Sequence, residues 1–305
     1  MGLWAGQVGF SVQVSRRFSQ AIAATLVGVT LSGCASSLMD GIWGDDSGSS
    51  SAAASSSSAV AQGNVEVAKL YNEALTDLNG NSLKSALKQF GEVERQFPYS
   101  TYATQAILMQ AYIGYRLGKW DDAINAANRY ITLHPGGKDV GYAYYLVAIC
   151  TYDQIANTRR DQSSTVKAVA ALEEVSQRFP GTAYAQDAAQ KVLVARDHLA
   201  GKEMEIGRYY YRQGAYLAGI NRFKKVITDY RNTSQTPEAL YRLTEGYMAL
   251  GVVSEAQTAA AVLGTNYPES SWYKDAYQLV SNDGLSPEAN QQSWISKAFD
   301  AVNPL

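Results

Sequence analysis

The sequence predicts an all-α protein whose helices form a solenoid of five helix-turn-helix repeats, preceded by a disordered N-terminal tether. Three observations support this fold class. A turn with an aromatic residue before proline recurs along the chain, small residues stand at fixed distances from each turn, and the intervening apolar residues follow helical spacing. No stretch sustains the alternation of apolar and polar residues that a half-buried strand requires, so no sheet is expected.

The recurring turn defines five anchor positions. It is clearest in "FPYSTYATQA", "RFPGTAYAQDA" and "YPESSWYKDA". The anchors are Pro98, Pro135, Pro180, Arg231 and Pro268; twelve positions before them stand Ala86, Ala123, Ala168, Gly219 and Ala256, and eight positions after them Ala106, Ala143, Ala188, Ala239 and Ala276. Small side chains let helix backbones approach closely, and proline ends a helix, so each anchor marks the end of one repeat.

The anchors also predict the organisation of the solenoid. The expected repeats lie at about 65–98, 101–135, 138–180, 182–231 and 235–268, and a closing helix ends the array near residue 280. A polar loop, "NTRRDQSST", lengthens the third repeat. Because no proline lies between Pro180 and Gly214, the fourth repeat should begin with one long helix over roughly 183–213.

Composition excludes several classes of function. The chain has 305 residues, of which 46% are apolar and 18% charged, and its net charge of −2 gives no reason to expect nucleic-acid binding. The two cysteines and two histidines are not at metal-ligand spacing, so no metal site is predicted. Cys150 lies in an apolar stretch and is interpreted as a buried thiol. No catalytic triad order, carboxylate pair or phosphate loop is present, and therefore neither catalysis nor a cofactor is expected.

The N-terminus carries the pattern of a secretory signal. "RRFSQAIAATLVGVTLSGC" has a basic start, a short apolar run and small residues before Cys34, which predicts a signal peptide over 1–33. The residues before Arg16 are unusual for such a signal, so translation that starts at Val12 or Val14 is an alternative. Residues 34–64, which include "SGSSSAAASSSS", are expected to form the tether.

The end of this signal resembles the bacterial lipobox. Leu31, Ser32 and Gly33 precede Cys34 in the order of that motif. The resemblance implies cleavage after Gly33 and acylation of Cys34, and several acyl chains together make a stable anchor. Position 35 is alanine rather than the aspartate that retains such lipoproteins in the inner membrane, which favours the periplasmic face of the outer membrane.

Two stretches resemble tetratricopeptide repeats. In "YRLGKWDDAINAANRYITLHP" the glycine permits a turn, the tryptophan fills the space between helices, and the alanine gives a close contact. "YYRQGAYLAGINRFKKVITDY" repeats the scheme with Gly219 and Arg231 in place of alanine and proline. Each unit alone cannot bury its apolar face, so stacked neighbours are needed to complete the core.

Together, the lipobox, the tether and the five units resemble the BamD family (also called ComL), lipoproteins of the outer-membrane β-barrel assembly machinery. The resemblance covers about 31–280 and is most specific in "RQFPYSTYATQA", "TRRDQSSTVKA" and "LAGKEMEIGRYYYRQGAYLAGINRF". It implies a scaffold rather than an enzyme. The alternative is a periplasmic tetratricopeptide lipoprotein that regulates peptidoglycan synthesis or envelope constriction.

The resemblance also implies two binding surfaces. Asn221 and Arg222 match the family's Asn-Arg contact to a POTRA domain of BamA, and a guanidinium suits a bidentate pair with a carboxylate. The substrate-binding residues, which would meet targeting segments of unfolded outer-membrane β-barrel proteins, are Phe97, Tyr99, Ser100 and Tyr102. The other partners implied are further lipoproteins of the machinery. The alternatives are a solvated helix face for Arg222 and purely structural packing for the tyrosines.

The C-terminal residues, 281–305, are expected to form a linker and a short amphipathic helix. Ser286 is a plausible N-cap, with Pro287 at the first helical position. The apolar stripe of this helix consists of Trp294, Ile295, Ala298, Phe299 and Val302. An isolated helix of this length is marginal in water, so the stripe needs a surface, which is the last repeat, a partner protein or the membrane.

Overall fold

The computed structural model describes residues 50–155 and 162–300, with side chains from Val65 onwards. The described residues form helices and no strand, which confirms the all-α fold class. The backbone contacts divide the chain into two units, Met1–Ala52 and Ala53–Leu305, and the helical residues from Ala53 onwards belong to the second. None of the described helices combines the length and apolar composition that crossing a membrane requires.

Some predicted features lie outside the described residues. They are the signal peptide at 1–33, the acylated Cys34, part of the loop "NTRRDQSST", and Val302.

Twelve helices follow one another in the described part of the chain. They are α1 (Ser50–Asn79), α2 (Leu83–Gln96), α3 (Thr101–Arg116), α4 (Trp120–Leu133), α5 (Val140–Asp153), α6 (Ser163–Arg178), α7 (Ala183–Arg212), α8 (Tyr216–Asp229), α9 (Thr236–Ala249), α10 (Val253–Asn266), α11 (Ser271–Asn282) and α12 (Trp294–Asp300). From α1 to α10 the helices form five pairs in which each helix packs against the next, and α11 closes the array on α9 and α10. This arrangement confirms the tetratricopeptide-like solenoid of five repeats.

The recurring aromatic-proline turn ends one helix and caps the next. Ser100, Thr182 and Ser270 each stand two residues after an anchor proline with extended backbone, and each is an N-cap. Ser100 Oγ, for example, accepts a hydrogen bond from the Ala103 amide at 3.0 Å. At these three turns the same few residues therefore stop one helix and satisfy a free amide of the next, whereas α5 and α9 begin without a side-chain cap.

The small residues at fixed distances from the anchors lie at the helix contacts. All nine alanines of the pattern are fully buried, and the tenth position, Gly219, is also buried. A Cβ built on Gly219 would overlap the ring of Tyr211, which shows why the fourth repeat carries glycine there instead of alanine. The pattern therefore predicts correctly which small residues are buried between the helices.

The predicted long helix of the fourth repeat is confirmed. α7 runs without a break from Ala183 to Arg212. Gly201 lies within it and does not interrupt it, and a Cβ at this position would meet nothing within 4 Å. The glycine lowers the helix propensity at one position only, and packing against α6 and α8 on the two sides compensates for it.

The predicted tether is shorter than expected. α1 begins at Ser50, so the last part of the segment 34–64, which was expected to be disordered, belongs to this helix. Alanine is the best helix former, and the run of alanines among the serines extends the helix towards the N-terminus from the part that packs on α2.

The C-terminal helix starts later than its N-cap signal predicts. Helix α12 begins at Trp294, not next to Ser286, and the carbonyl of Ser286 accepts a hydrogen bond from the Gln257 side chain at 2.8 Å. The amide of Asn290 donates to Thr258 Oγ1 at 3.1 Å. Because side chains of α10 bind this backbone, it does not enter the hydrogen-bonding pattern of a helix.

Residues 285–300, hereafter the C-terminal strap, lie on the last repeats. Ile295 is fully buried, and Trp294 Nε1 donates a 3.2 Å hydrogen bond to the Tyr247 hydroxyl. The ammonium of Lys224 on α8 lies 4.8 Å from the centre of the Trp294 ring. The strap therefore contacts the last repeats of the solenoid, which is one of the three surfaces considered for it in the sequence analysis.

Candidate partner and client surfaces

The Asn221–Arg222 motif lies on α8, and Arg222 is paired with an acid on α7. Arg222 Nη1 donates to Glu203 Oε2 at 3.1 Å, and Lys225 Nζ donates to Glu203 Oε1 at 2.6 Å. Residues three apart on a helix share a face, so Arg222 and Lys225 reach the same carboxylate. The interpretation of Arg222 as a simple solvated cation is therefore incomplete, because it has a partner within the chain.

Burial differs sharply across this cluster. The Glu203 side chain is 11% exposed, whereas the side chains of Arg222 and Lys225 are 40% and 45% exposed. Hydrogen bonding to Glu203 raises the pKa of Lys225 above its usual range, and the charge of the carboxylate acts in the same direction. Two cations share one carboxylate that lies beneath them, so these three side chains together carry one excess positive charge, and Asp229 also acts electrostatically on Lys225.

A shallow cavity adjoins the two cations. Its volume is about 290 Å³, and it is lined by Tyr210, Ala218, Asn221, Arg222 and Lys225. Asn221 is exposed, and its side chain adds amide hydrogen-bonding groups to the two positive charges. Such a site suits a carboxylate better than an apolar or cationic side chain.

Exposed apolar side chains are present on the same two helices. Leu217 on α8 is 66% exposed and Tyr209 on α7 is 53% exposed, and the Tyr209 ring packs edge-on against Tyr210 at 5.8 Å. Leu217 and Asn221 are four residues apart on α8 and therefore on one face. We call the surface formed by Tyr209, Tyr210, Leu217, Asn221, Arg222 and Lys225 the α7–α8 face.

The sequence prediction missed the roles of Glu203, Lys225 and Leu217. Glu203 does carry a detectable signal, because it interrupts the buried stripe of α7 formed by Leu199, Ala200, Met204 and Gly207. An acid on an apolar stripe requires a cation nearby. Which cation serves it depends on how α8 packs on α7, and this is not readable from the pattern of either helix alone.

The four predicted substrate-binding residues have different structural roles. Phe97 and Tyr102 pack against the first core cluster, which consists of the buried apolar residues of α1 to α3 around Phe90, and the Tyr102 ring lies 5.2 Å from that of Tyr71. Ser100 caps α3 and donates to the Phe97 carbonyl at 2.9 Å. Only Tyr99 among the four is fully exposed, with its ring in solvent at the turn between α2 and α3. The turn therefore presents one aromatic ring and uses its other members to hold that ring in place.

The remaining chemical groups of interest do not form a site. Cys150 is a free thiol with no exposed surface. Within residues 50–155 and 162–300, no group of three or more His, Cys, Asp or Glu side chains is placed to hold a metal ion.

Comparison with known proteins places the chain in one family, and the matched residues include those of both candidate surfaces. The family model described as YfiO, outer membrane lipoprotein, matches residues 64–263. The outer membrane protein assembly factor BamD of Caulobacter vibrioides is 47% identical over 221 residues, which cover 72% of each chain. BamD of Rickettsia prowazekii is 44% identical over 216 residues, covering 71% of this chain and 86% of that relative.

Among solved structures, a thermophilic TPR protein of Thermus thermophilus matches with 16% identity and a TM-score of 0.32. The match covers 69% of this chain and 98% of that protein. The family model spans most of the described helices, and the two BamD relatives share more than two fifths of their aligned residues with this chain. The chain therefore belongs to the BamD family of outer membrane lipoproteins.

Proposed function

We propose that this chain is a non-catalytic scaffold of the outer-membrane β-barrel assembly machinery. In this proposal the C-terminal repeats bind a POTRA domain of BamA, and the N-terminal repeats bind targeting segments of unfolded barrel proteins for folding and insertion. The relatives are named outer membrane protein assembly factors, which supports the general role. The observation that carries the BamA assignment is the pair of partly exposed cations, Arg222 and Lys225, on the α7–α8 face.

The chemistry of the α7–α8 face suits an acidic partner surface. Arg222 and Lys225 share one buried carboxylate, so the guanidinium keeps N–H donors for a second one. A charge-assisted pair between Arg222 and a partner carboxylate would give orientation as well as affinity. Tyr209 and Leu217 beside it offer apolar area, which is the composition expected at the centre of an interface.

The turn between α2 and α3 is the proposed contact for client segments. An extended segment that ends in an aromatic residue can stack on an exposed ring and bind through its backbone. Tyr99 offers that ring, while Phe97, Ser100 and Tyr102 keep the turn in shape. Client affinity in this proposal therefore depends directly on Tyr99 and indirectly on the other three.

Acylation of Cys34 would hold the folded repeats at the periplasmic face of the outer membrane. The tether between Cys34 and α1 then keeps both binding surfaces near the membrane in which the clients insert. Other lipoproteins of the machinery are further proposed partners, and binding them requires no chemistry beyond the surfaces of the solenoid.

Co-purification tests the proposal. The acylated full-length chain, extracted from membranes in mild detergent, should recover BamA, and Arg222→Ala should reduce that recovery. The matched control is Lys274→Ala, which removes an exposed cation from α11 outside the α7–α8 face. Recovery of a penicillin-binding protein without BamA would contradict the proposal and favour a regulator of peptidoglycan synthesis.

A further inference from the structure

Glu203 is unusual because it is an acid in the contact between two helices. It lies on the buried stripe of α7, and only 8% of the residue is exposed. Burying a carboxylate is unfavourable unless cations and hydrogen bonds compensate for the lost water. Here each carboxylate oxygen has one cationic donor, Arg222 at 3.1 Å and Lys225 at 2.6 Å.

When Nη1 of Arg222 is bound to Glu203, the guanidinium keeps other N–H donors that a partner can use. In the part of the chain that the structure describes, the hydrogen bond of Arg222 to a side chain is made by Nη1. A guanidinium has five N–H donors in a rigid plane, so fixing Nη1 on Glu203 also fixes the direction of the other donors. They lie beside the cavity that Arg222 lines with Asn221 and Lys225.

We propose that Glu203 is a positioning residue of the α7–α8 face: it holds Arg222 so that the outer edge of the guanidinium is oriented for a carboxylate of the partner. This inference rests on the proposed function, and it adds a residue that does not itself meet the partner. A long side chain with many rotamers loses conformational entropy when it binds, and Glu203 removes part of that loss before the partner arrives.

The inference makes Arg222 and Glu203 energetically dependent on each other. If Glu203 acts only through Arg222, its removal matters only while Arg222 is present. A residue with a purely structural role would instead weaken binding by the same factor in either background. A double-mutant cycle separates these two cases.

The experiment measures the dissociation constant between the full chain and purified POTRA domains of BamA by calorimetry. Glu203→Gln, which keeps the side-chain shape but removes the charge, is expected to weaken binding about tenfold. Arg222→Ala should weaken it at least as much, and the double variant no more than Arg222→Ala alone. The matched control is Glu173→Gln, since Glu173 also accepts from an α7 cation, Arg196, at 2.6 Å.

A second variant covers the case in which Glu203→Gln impairs folding. Arg222→Lys keeps the positive charge, but an ammonium bound to Glu203 has no planar outer edge to present. It should therefore bind the POTRA domains about as weakly as Arg222→Ala, with an unchanged melting temperature. Binding of Arg222→Lys at the original affinity would overturn the positioning role.

Failure of this inference is distinguishable from failure of the proposed function. If Arg222→Ala binds as tightly as the unchanged chain, the assignment of the α7–α8 face to BamA is wrong. If Arg222→Ala weakens binding while Glu203→Gln does not, only the positioning role of Glu203 is overturned. Equal losses from Glu203→Gln with and without Arg222 would likewise make Glu203 a structural residue.

Discussion

The hydroxyl of Tyr211 on α7 donates a 2.6 Å hydrogen bond to the carbonyl of Arg242 on α9, and it lies against Gly246 one turn further along α9. The other side of the ring meets Gly219 on α8. The Tyr211 side chain on α7 therefore fits between α8 and α9 because both helices carry glycine where they contact it. This contact joins the fourth repeat to the fifth, next to the α7–α8 face.

Gly246→Ala should destabilise the protein. A Cβ at this position would overlap the Tyr211 hydroxyl, and the ring cannot retreat because Gly219 and Phe223 lie behind it. Overpacking of this kind costs about 1–3 kcal/mol of the free energy of unfolding, which urea titration measures.

The control is Gly201→Ala in the middle of α7, where a new Cβ meets nothing within 4 Å. This change should stabilise the chain by about 0.5–1 kcal/mol, because alanine favours a helix over glycine. If the two variants changed stability in the same direction, the close approach at Tyr211 would not be the reason that Gly246 is needed.

Much of the fold follows from the sequence for a simple physical reason. Helix ends, N-caps and close helix contacts each depend on one or two local residues, such as Pro180 with Thr182, or Ala188. The same local signals fail at the C-terminus. Ser286 and Pro287 have the form of a helix start, but Thr258 on α10 binds the backbone between them and Trp294, and this tertiary contact prevails.

The candidate surfaces follow from the sequence only in part. The family motif identifies Arg222, yet its pairing with Glu203 depends on how two helices pack, since the two residues are 19 positions apart and lie on different helices. Exposure is equally hard to predict. Phe97, Tyr99 and Tyr102 are all aromatic and lie close together in the sequence, so the sequence does not distinguish them. The orientation of the turn decides that only Tyr99 is fully exposed.

Tyr99→Ala should weaken the binding of client segments without affecting stability. The ring is fully exposed, so its removal exposes no buried surface and should leave the melting temperature unchanged. Loss of one stacked aromatic contact should weaken binding of a fluorescent targeting peptide roughly threefold to tenfold, measured by anisotropy.

Phe97→Ala is the matched comparison for Tyr99→Ala. Phe97 packs on the first core cluster, so its truncation should lower the melting temperature as well. Unchanged peptide affinity in Tyr99→Ala would remove this turn from the client surface.

Cys150 should make stability depend on alkaline pH. Burial raises the pKa of its thiol from an ordinary 9.0 to about 12, and Asp153 acts in the same direction. Between these values the folded state holds a proton that the unfolded state releases, so stability falls as pH rises above 9.

Urea titrations at pH 8 and pH 10 test this dependence. The unchanged chain should lose about 1 kcal/mol more than Cys150→Ala between the two pH values. Buried tyrosines titrate in both proteins and cancel in the comparison. Equal losses would show that the thiol ionises normally in the folded state.

Cys34→Ser should abolish acylation. Serine lacks the thiolate that the modification requires, so metabolic labelling with a palmitate analogue should disappear. The protein should then leave the membrane fraction unless BamA retains it there. Cys150→Ala, which removes the chain's other cysteine, should be labelled normally, and labelling of Cys34→Ser would contradict the lipobox assignment.

Deletion of residues 285–305 should destabilise the isolated protein, because the strap covers apolar surface of the last repeats. Ile295 is fully buried, and Ser293 Oγ donates a 2.6 Å hydrogen bond to Glu255 on α10. Loss of about 2–3 kcal/mol would lower the melting temperature by roughly 5–10 °C in a domain of this size. The control is Lys297→Ala, which changes an exposed residue of α12 and should leave the melting temperature unchanged.

The same deletion separates a cap from a partner-binding helix. If the strap is a cap, its deletion lowers the melting temperature, and BamA recovery falls only to the extent that the last repeats are destabilised. If the helix instead binds a partner, its deletion should leave the melting temperature unchanged and reduce recovery of the complex. The contacts of Trp294 with Tyr247 and Lys224 favour the cap, because they would have to break before a partner could use this helix. If neither quantity changed, both interpretations of the strap would be wrong.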